Sequence, residues 1–262
     1  MPGAFNTAMD ETAIPGEGRR AARKGRHRPR VRAILLSAVV AVAAVALGFG
    51  VHRWVQSPQA STVRVSGIPS DVPTSVADLM TLSPVPNRAA PDFTLVDQRG
   101  QTVSLSGLRG RAVVLGFMDP HCTDICPIVS QEFVDAYRDL GSRAARAVFL
   151  SVNVNPFHNS PADMAAYSHE QGLDTIPSWH FLTGPVPALR AVWSHYGIGV
   201  SAPNPEADVL HTSILYFIDA HGVERFIASP MVDHTMKGAS FLPAPSLRAW
   251  GKGIALVAAD VS

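Results

Sequence analysis

Two cysteines, Cys122 and Cys126, are all that this chain of 262 residues possesses, and both stand in one stretch, Gly116-Phe-Met-Asp-Pro-His-Cys-Thr-Asp-Ile-Cys-Pro127. Ahead of them Ala112-Val-Val-Leu-Gly-Phe117 is an apolar run of strand length; behind them Ile128 to Leu140 has the period of an amphipathic helix. The sulfurs are therefore expected on a strand-to-helix turn. A helix start presents unpaired N–H groups and the positive end of its dipole, and both favour thiolate over thiol. Pro127 suits a first helical turn, where its missing donor costs nothing. A spacing of four puts the two sulfurs on one side of a turn, so these residues alone leave open a shared metal ion, a disulfide and a pair of inert thiols.

Charge divides the chain into unlike parts. Residues 1–32 hold eight Lys and Arg against three Asp and Glu, out of 22 and 21 in the whole sequence, so the remainder is mildly acidic. That balance argues against a nucleic-acid partner. Ala33 to Val51 carries no charge over nineteen residues, enough to cross a membrane, and the basic run before it sets residues 1–32 in the cytoplasm and everything after the span outside. An uncleaved single-pass anchor is preferred to a cleaved signal because no Ala-x-Ala cleavage pattern closes the run cleanly. Residues 52–90 mix Ser, Pro, Val and Thr with little periodicity and read as a flexible linker, with one helical turn at Val76–Met80.

The extracytoplasmic domain is expected over 91–262. Its first elements are a hairpin, Phe93–Asp97 and Gln101–Leu105, and then the strand and helix around the cysteines. A continuous apolar strand at Ala147–Val154 follows, then a helix from Asn159-Ser-Pro-Ala-Asp163 to about Gln171, a strand at Trp179–Leu182 and a helix at Val186–Tyr196. A second hairpin, Ser213–Asp219 with Val223–Ala228, and a helix at Ser246–Ala259 close the chain. This order gives an α/β domain with a mixed sheet between helices, and a thioredoxin-like fold with an added N-terminal hairpin fits it.

Three segments together resemble the Sco/SenC family: Phe93–Leu105, the Cys-x-x-x-Cys-Pro of Cys122 to Pro127, and His211-Thr-Ser-Ile-Leu-Tyr-Phe-Ile-Asp-Ala-His-Gly222. That family comprises membrane-anchored, thioredoxin-fold copper proteins. The resemblance, covering about Pro91 to Ala228, implies copper bound by Cys122, Cys126 and His211, and delivery to, or thiol preparation of, the copper-A subunit of cytochrome c oxidase, with a thiol-reducing partner compatible. Two thiolates and an imidazole suit Cu(I), and with one more ligand Cu(II). A structural zinc site would ask for four protein ligands, and a third cysteine is absent from the sequence.

The chain departs from the family pattern in places. Thr123 stands where the family usually has Pro, and Leu210 where it usually has Asp. Val232-Asp-His-Thr235 repeats the family's Asp-His-Thr wording downstream, but His211 is preferred to His234 because a strand-forming run and an Asp-x-x-Gly turn follow it. Residues 229–245, with Met231, His234 and Met236, are read as a solvated loop. His121 is read as a neighbour that tunes Cys122, and Asp124 as a turn residue holding the loop. The rival reading is a membrane-anchored thiol–disulfide oxidoreductase, with Cys122 and Cys126 as its redox pair. Against it stand a cysteine spacing of three rather than two intervening residues and the lack of a proline near Ser213. A peroxidase fits less well, since Asp119 occupies the place three before Cys122 where a Thr is wanted.

Overall fold

The computed structural model describes residues 66–262. The basic tail, the apolar run at 33–51 and the first part of the linker lie outside the described residues. Among the described residues no helix is long and apolar enough to cross a membrane.

A six-stranded sheet runs in the order β1 (Ser83–Ala89), β10 (Val223–Ala228), β9 (Leu215–Ile218), β4 (Ala112–Met118), β5 (Ala147–Asn153), β6 (Trp179–Leu182). β4, β5 and β6 are parallel, whereas β9 runs antiparallel to β4, pairing Leu115 with Tyr216 and Val113 with Ile218. Every residue of β4 and β5 is buried, which is why their sequences show no wet face. The period of two survives as a division between two cores. Ala112, Val114 and Met118 point to one, and Val113, Leu115 and Phe117 to the other.

The first core is covered by α1 (Thr74–Leu79), α2 (Ile125–Leu140), α3 (Pro161–Glu170) and α5 (Ala244–Asp260), which bury Ala77, Phe133, Tyr167 and Trp250 among others. The second lies under α4 (Val186–His195) and the separate hairpin of β2 (Thr94–Val96) with β3 (Thr102–Ser104). α2 and α5 approach closely at Gly251, where a Cβ would lie 2.7 Å from Cβ of Asp135.

One segment expected in the linker belongs to this fold. Val76–Met80, read as a lone helical turn, lies within α1 and its continuation, and β1 follows as an edge strand of the main sheet. Ile68, Val72, Ala77, Met80 and Leu82 are all buried, although their spacing follows neither regular period. Pro84 and Pro86 hide β1 from sequence reading, yet an edge position tolerates them. Arg88 locks the strand by donating from Nε and Nη2 to the buried carboxylate of Glu224, its register partner on β10, at 2.8–3.0 Å. The expected hairpin of β9 and β10 is present; Gly222 takes φ +77° in its turn, and Asp219 Oδ1 accepts the N–H groups of His221 and Val223.

Candidate metal centre

β4 ends at Met118, α2 begins at Ile125, and the six residues between them form the cysteine loop. The helix starts three residues earlier than its apolar period indicates, so Pro127 falls inside the first turn and Cys126 joins the helix. Asp119 organises the loop from its buried position. Its Oδ1 accepts the N–H of His121 and the side-chain amide of Asn155, both at 2.9 Å, and its carbonyl accepts the N–H of Cys122 at 3.1 Å.

The two cysteines are free thiols in unlike surroundings. Cys122 is partly exposed, while Cys126 is buried. The N–H of Cys126 donates to Sγ of Cys122 at 3.4 Å. The Cys126 side chain is the largest influence on Cys122. Together with the N–H groups of Cys126 and Asp124 it outweighs burial and the Asp119 charge, bringing the Cys122 pKa down to about 7. Cys126 goes the other way: the Cys122 sulfur, burial and the nearby negative charge push its thiol well above the ordinary range. The turn therefore holds one partly exposed, readily ionised thiol and one buried thiol that keeps its proton.

His211 arrives from the far end of the domain. It lies on β8 (Leu210–His211), which pairs with β7 (Val200–Ser201) just before β9 enters the sheet beside β4. That adjacency carries it to the cysteine loop. Cys122, Asp124, Ile125, His211 and Val232 line one cavity of about 330 Å³. His211 Nδ1 lies 3.1 Å from the carbonyl of Thr212; when Nδ1 carries the proton for that bond, Nε2 is left with its lone pair. Burial lowers its pKa, against the Thr212 carbonyl and the Asp119 charge, so the ring is predominantly neutral at pH 7. Cys122 and His211 are thus brought to one cavity, with Cys126 against Cys122. The donor atoms of the three do not all lie within 4.8 Å of one another, so a single ion held by all three requires them to draw together.

Asp124 does something the sequence did not suggest. It occupies the N-cap position of α2, but its carboxylate makes no capping bond. Oδ1 instead accepts from the Ser240 hydroxyl and lies 3.1 Å from Nε2 of His234. Those partners sit on a short, largely exposed hairpin, β11 (Asp233–His234) with β12 (Ser240–Phe241), so the stretch expected as a solvated loop is folded back against the cysteine loop. His234 is thereby a contact of the loop's carboxylate. His121 also departs from expectation: its ring stacks on His158, with centroids 3.7 Å apart, and the groups that shift the Cys122 pKa do not include it. Nothing in the local sequence pairs residues so far apart. The repeated Asp-His-Thr wording around His234 was the available signal for the hairpin.

A family model described as SCO1/SenC matches residues 83–235, more than half of the chain and the part containing Cys122, Cys126, His211 and His234. The chain belongs to the SCO1/SenC family. It is 25% identical to the SCO1 protein homolog of Bacillus subtilis over 139 residues, covering 50% of this chain and 68% of that one. To the mitochondrial SCO2 homolog of Bos taurus it is 30% identical over 138 residues, covering 50% of each, so the chain spans about half the length of that relative. Among solved structures, Bradyrhizobium japonicum ScoI with copper bound superimposes with a TM-score of 0.51 at 24% identity, over 67% of this chain and 100% of that one. A SCO1/SenC family lipoprotein from Bacillus anthracis gives 0.51 at 22% identity, over 56% and 87%. These likenesses establish the shared thioredoxin-like α/β fold.

Proposed function

We propose that this member of the SCO1/SenC family is a copper carrier that binds Cu(I) through Cys122, Cys126 and His211 and serves the assembly of the copper-A site of cytochrome c oxidase, from a domain tethered outside the cell membrane. One observation carries the reading: a thiolate-prone Cys122 and a partly buried, predominantly neutral His211, eighty-nine positions apart in sequence, line the same cavity. Sulfur and neutral imidazole are donors that a soft, low-coordinate ion accepts. The copper-bound relative from Bradyrhizobium japonicum supports the choice of ion. The tether rests on the uncharged run at 33–51 and its basic flank.

In this account the residues divide the work. Cys122 presents the accessible sulfur that meets incoming copper, and Cys126 gives up its proton as the ion is shared between the two. His211 supplies a neutral nitrogen and needs no deprotonation. Asp119 fixes the loop that carries Cys122, and Asp124 ties that loop to the hairpin of β11 and β12.

The test is a Cu(I) titration of the reduced, purified full-length chain. One equivalent should bind, and Cys122→Ser, Cys126→Ser and His211→Ala should each weaken binding by about 10-fold or more. Loss of binding in His234→Ala with retention in His211→Ala would transfer the imidazole role to His234. Insulin reduction at thioredoxin-like rates would favour the oxidoreductase instead.

A further inference from the structure

Beside the pair of sulfurs, the described residues bring together one set of three ligand-type side chains whose donor atoms all lie within 4.8 Å of one another: His121, His158 and Asp163. They come from three places, the cysteine loop, the loop after β5 and the first turn of α3. The two imidazoles stack, with centroids 3.7 Å apart and planes 21° apart, so their nitrogens are close and a tilt of one ring is what brings both in-plane lone pairs to a common ion.

The backbones beneath these rings are held by one buried bridge. Asp119 Oδ1 accepts the N–H of His121 and the Nδ2–H of Asn155, while Asn155 Oδ1 accepts the N–H of His158 at 3.1 Å. Asp119 and Asn155 are both buried. The third group is fixed independently: Oδ2 of Asp163 accepts the N–H and hydroxyl of Ser160 at 3.0 and 2.7 Å in a capping box that does not use Oδ1. His121 and Asp163 then face a solvent-open cavity of about 430 Å³ that Cys122 also lines. The same carboxylate–amide bridge thus fixes the two backbones that carry the stacked imidazoles.

We propose that His121, His158 and Asp163 form a second metal site, taking a divalent transition-metal ion, Cu(II) or Zn(II), beside the cysteine loop. Two imidazole nitrogens and a carboxylate oxygen are a borderline-to-hard donor set, suited to these ions and lacking the thiolate that Cu(I) prefers. Three protein ligands leave a coordination position for water, in keeping with an open cavity rather than a sealed structural site. Cu(II) takes such N and O sites more tightly than the other divalent first-row ions. The site does not depend on the Cu(I) assignment to Cys122, Cys126 and His211.

The experiment removes the sulfur site and reads the second one. Full-length protein carrying Cys122→Ser, Cys126→Ser, His211→Ala and His234→Ala is titrated calorimetrically with Cu(II) and, separately, with Zn(II). One equivalent of either ion or of both should bind, and adding His121→Ala or His158→Ala should weaken it about 10-fold or more. Asp163→Asn, which keeps an oxygen for the Ser160 cap, should weaken it too. With Cu(II), nitrogen superhyperfine lines in the electron paramagnetic resonance spectrum should show two imidazoles. In a chain carrying Cys122→Ser and Cys126→Ser alone, substoichiometric Cu(II) should broaden the ring signals of His121 and His158 together and more than that of His211, a readout independent of how the fourfold variant folds. Absence of binding in a folded background variant, binding that His158→Ala leaves unchanged, or unbroadened His158 signals would overturn the site. None of those outcomes alters the Cu(I) titration, so the two assignments fail separately.

Discussion

The difference between the two thiols can be followed to a rate. Cys122 titrates at about 7 against a reference of 9.0, chiefly because the Cys126 side chain lies against its sulfur. At pH 7 a thiol of that pKa is about half ionised, where a reference thiol is about 1% ionised, a gain of roughly 50-fold in thiolate. Lower basicity makes each thiolate a poorer nucleophile. With a Brønsted slope of about 0.4–0.5, a two-unit drop removes roughly 6- to 10-fold. The product is alkylation of Cys122 about 5- to 8-fold faster than a free cysteine at pH 7, with the advantage reversed above about pH 8. The assay is the pH–rate profile of iodoacetamide modification, with the modified residue identified by mass spectrometry. Cys126 should remain unmodified while Cys122 reacts, since it is buried and its thiol is held protonated. Cys126→Ala removes the principal stabiliser of the thiolate, so the midpoint for Cys122 should rise towards the reference and the rate at pH 7 should fall. A wild-type midpoint of about 8.5 or higher, faster labelling of Cys126, or an unchanged midpoint in Cys126→Ala would refute this account of the turn.

Two further predictions concern the support beneath the site. Gly251→Ala should destabilise the domain by about 1–3 kcal/mol, because the new methyl meets the Asp135 Cβ, which cannot move without its helix, and the gain of up to about 1 kcal/mol in helix propensity does not offset this; chemical denaturation checks it, and an unchanged or raised midpoint contradicts the tight crossing of α2 and α5. Glu132 is buried on α2 with neither carboxyl oxygen partnered, and burial, then the Asp135 charge, push its pKa well above 4.5. Between 4.5 and the raised value the folded chain keeps a proton that the unfolded chain has lost, so this residue's contribution to stability falls as pH rises, by up to about 1.4 kcal/mol per unit. Glu132→Gln abolishes that slope, so its melting temperature relative to the parent should climb between pH 5 and pH 8; a constant difference would show that Glu132 is not held neutral.

Much of the domain could be read along the chain. Continuous apolar runs marked β4 and β5 because central parallel strands are buried on both faces. The strand-forming runs and the turn residues between β9 and β10 marked their hairpin, and Ser160 with Asp163 marked the start of α3. β1 was illegible, since two prolines and an exposed face leave no period, and its place depends on Arg88 meeting Glu224 across 136 positions. The hairpin of β11 and β12 was missed for a similar reason: its partner is one carboxylate on another element.

Local order alone determined that two sulfurs would sit where a buried strand gives way to a helix, because strand period, helix period and Pro127 are all encoded within a few residues of Cys122. Tertiary structure decided what those sulfurs meet. The pairing of β9 with β4 brings His211 to the cavity, and the bridge from Asp119 to Asn155 sets His121 against His158. Contacts between distant segments depend on how strands order themselves in the sheet, and spacing along the chain carries no record of that choice.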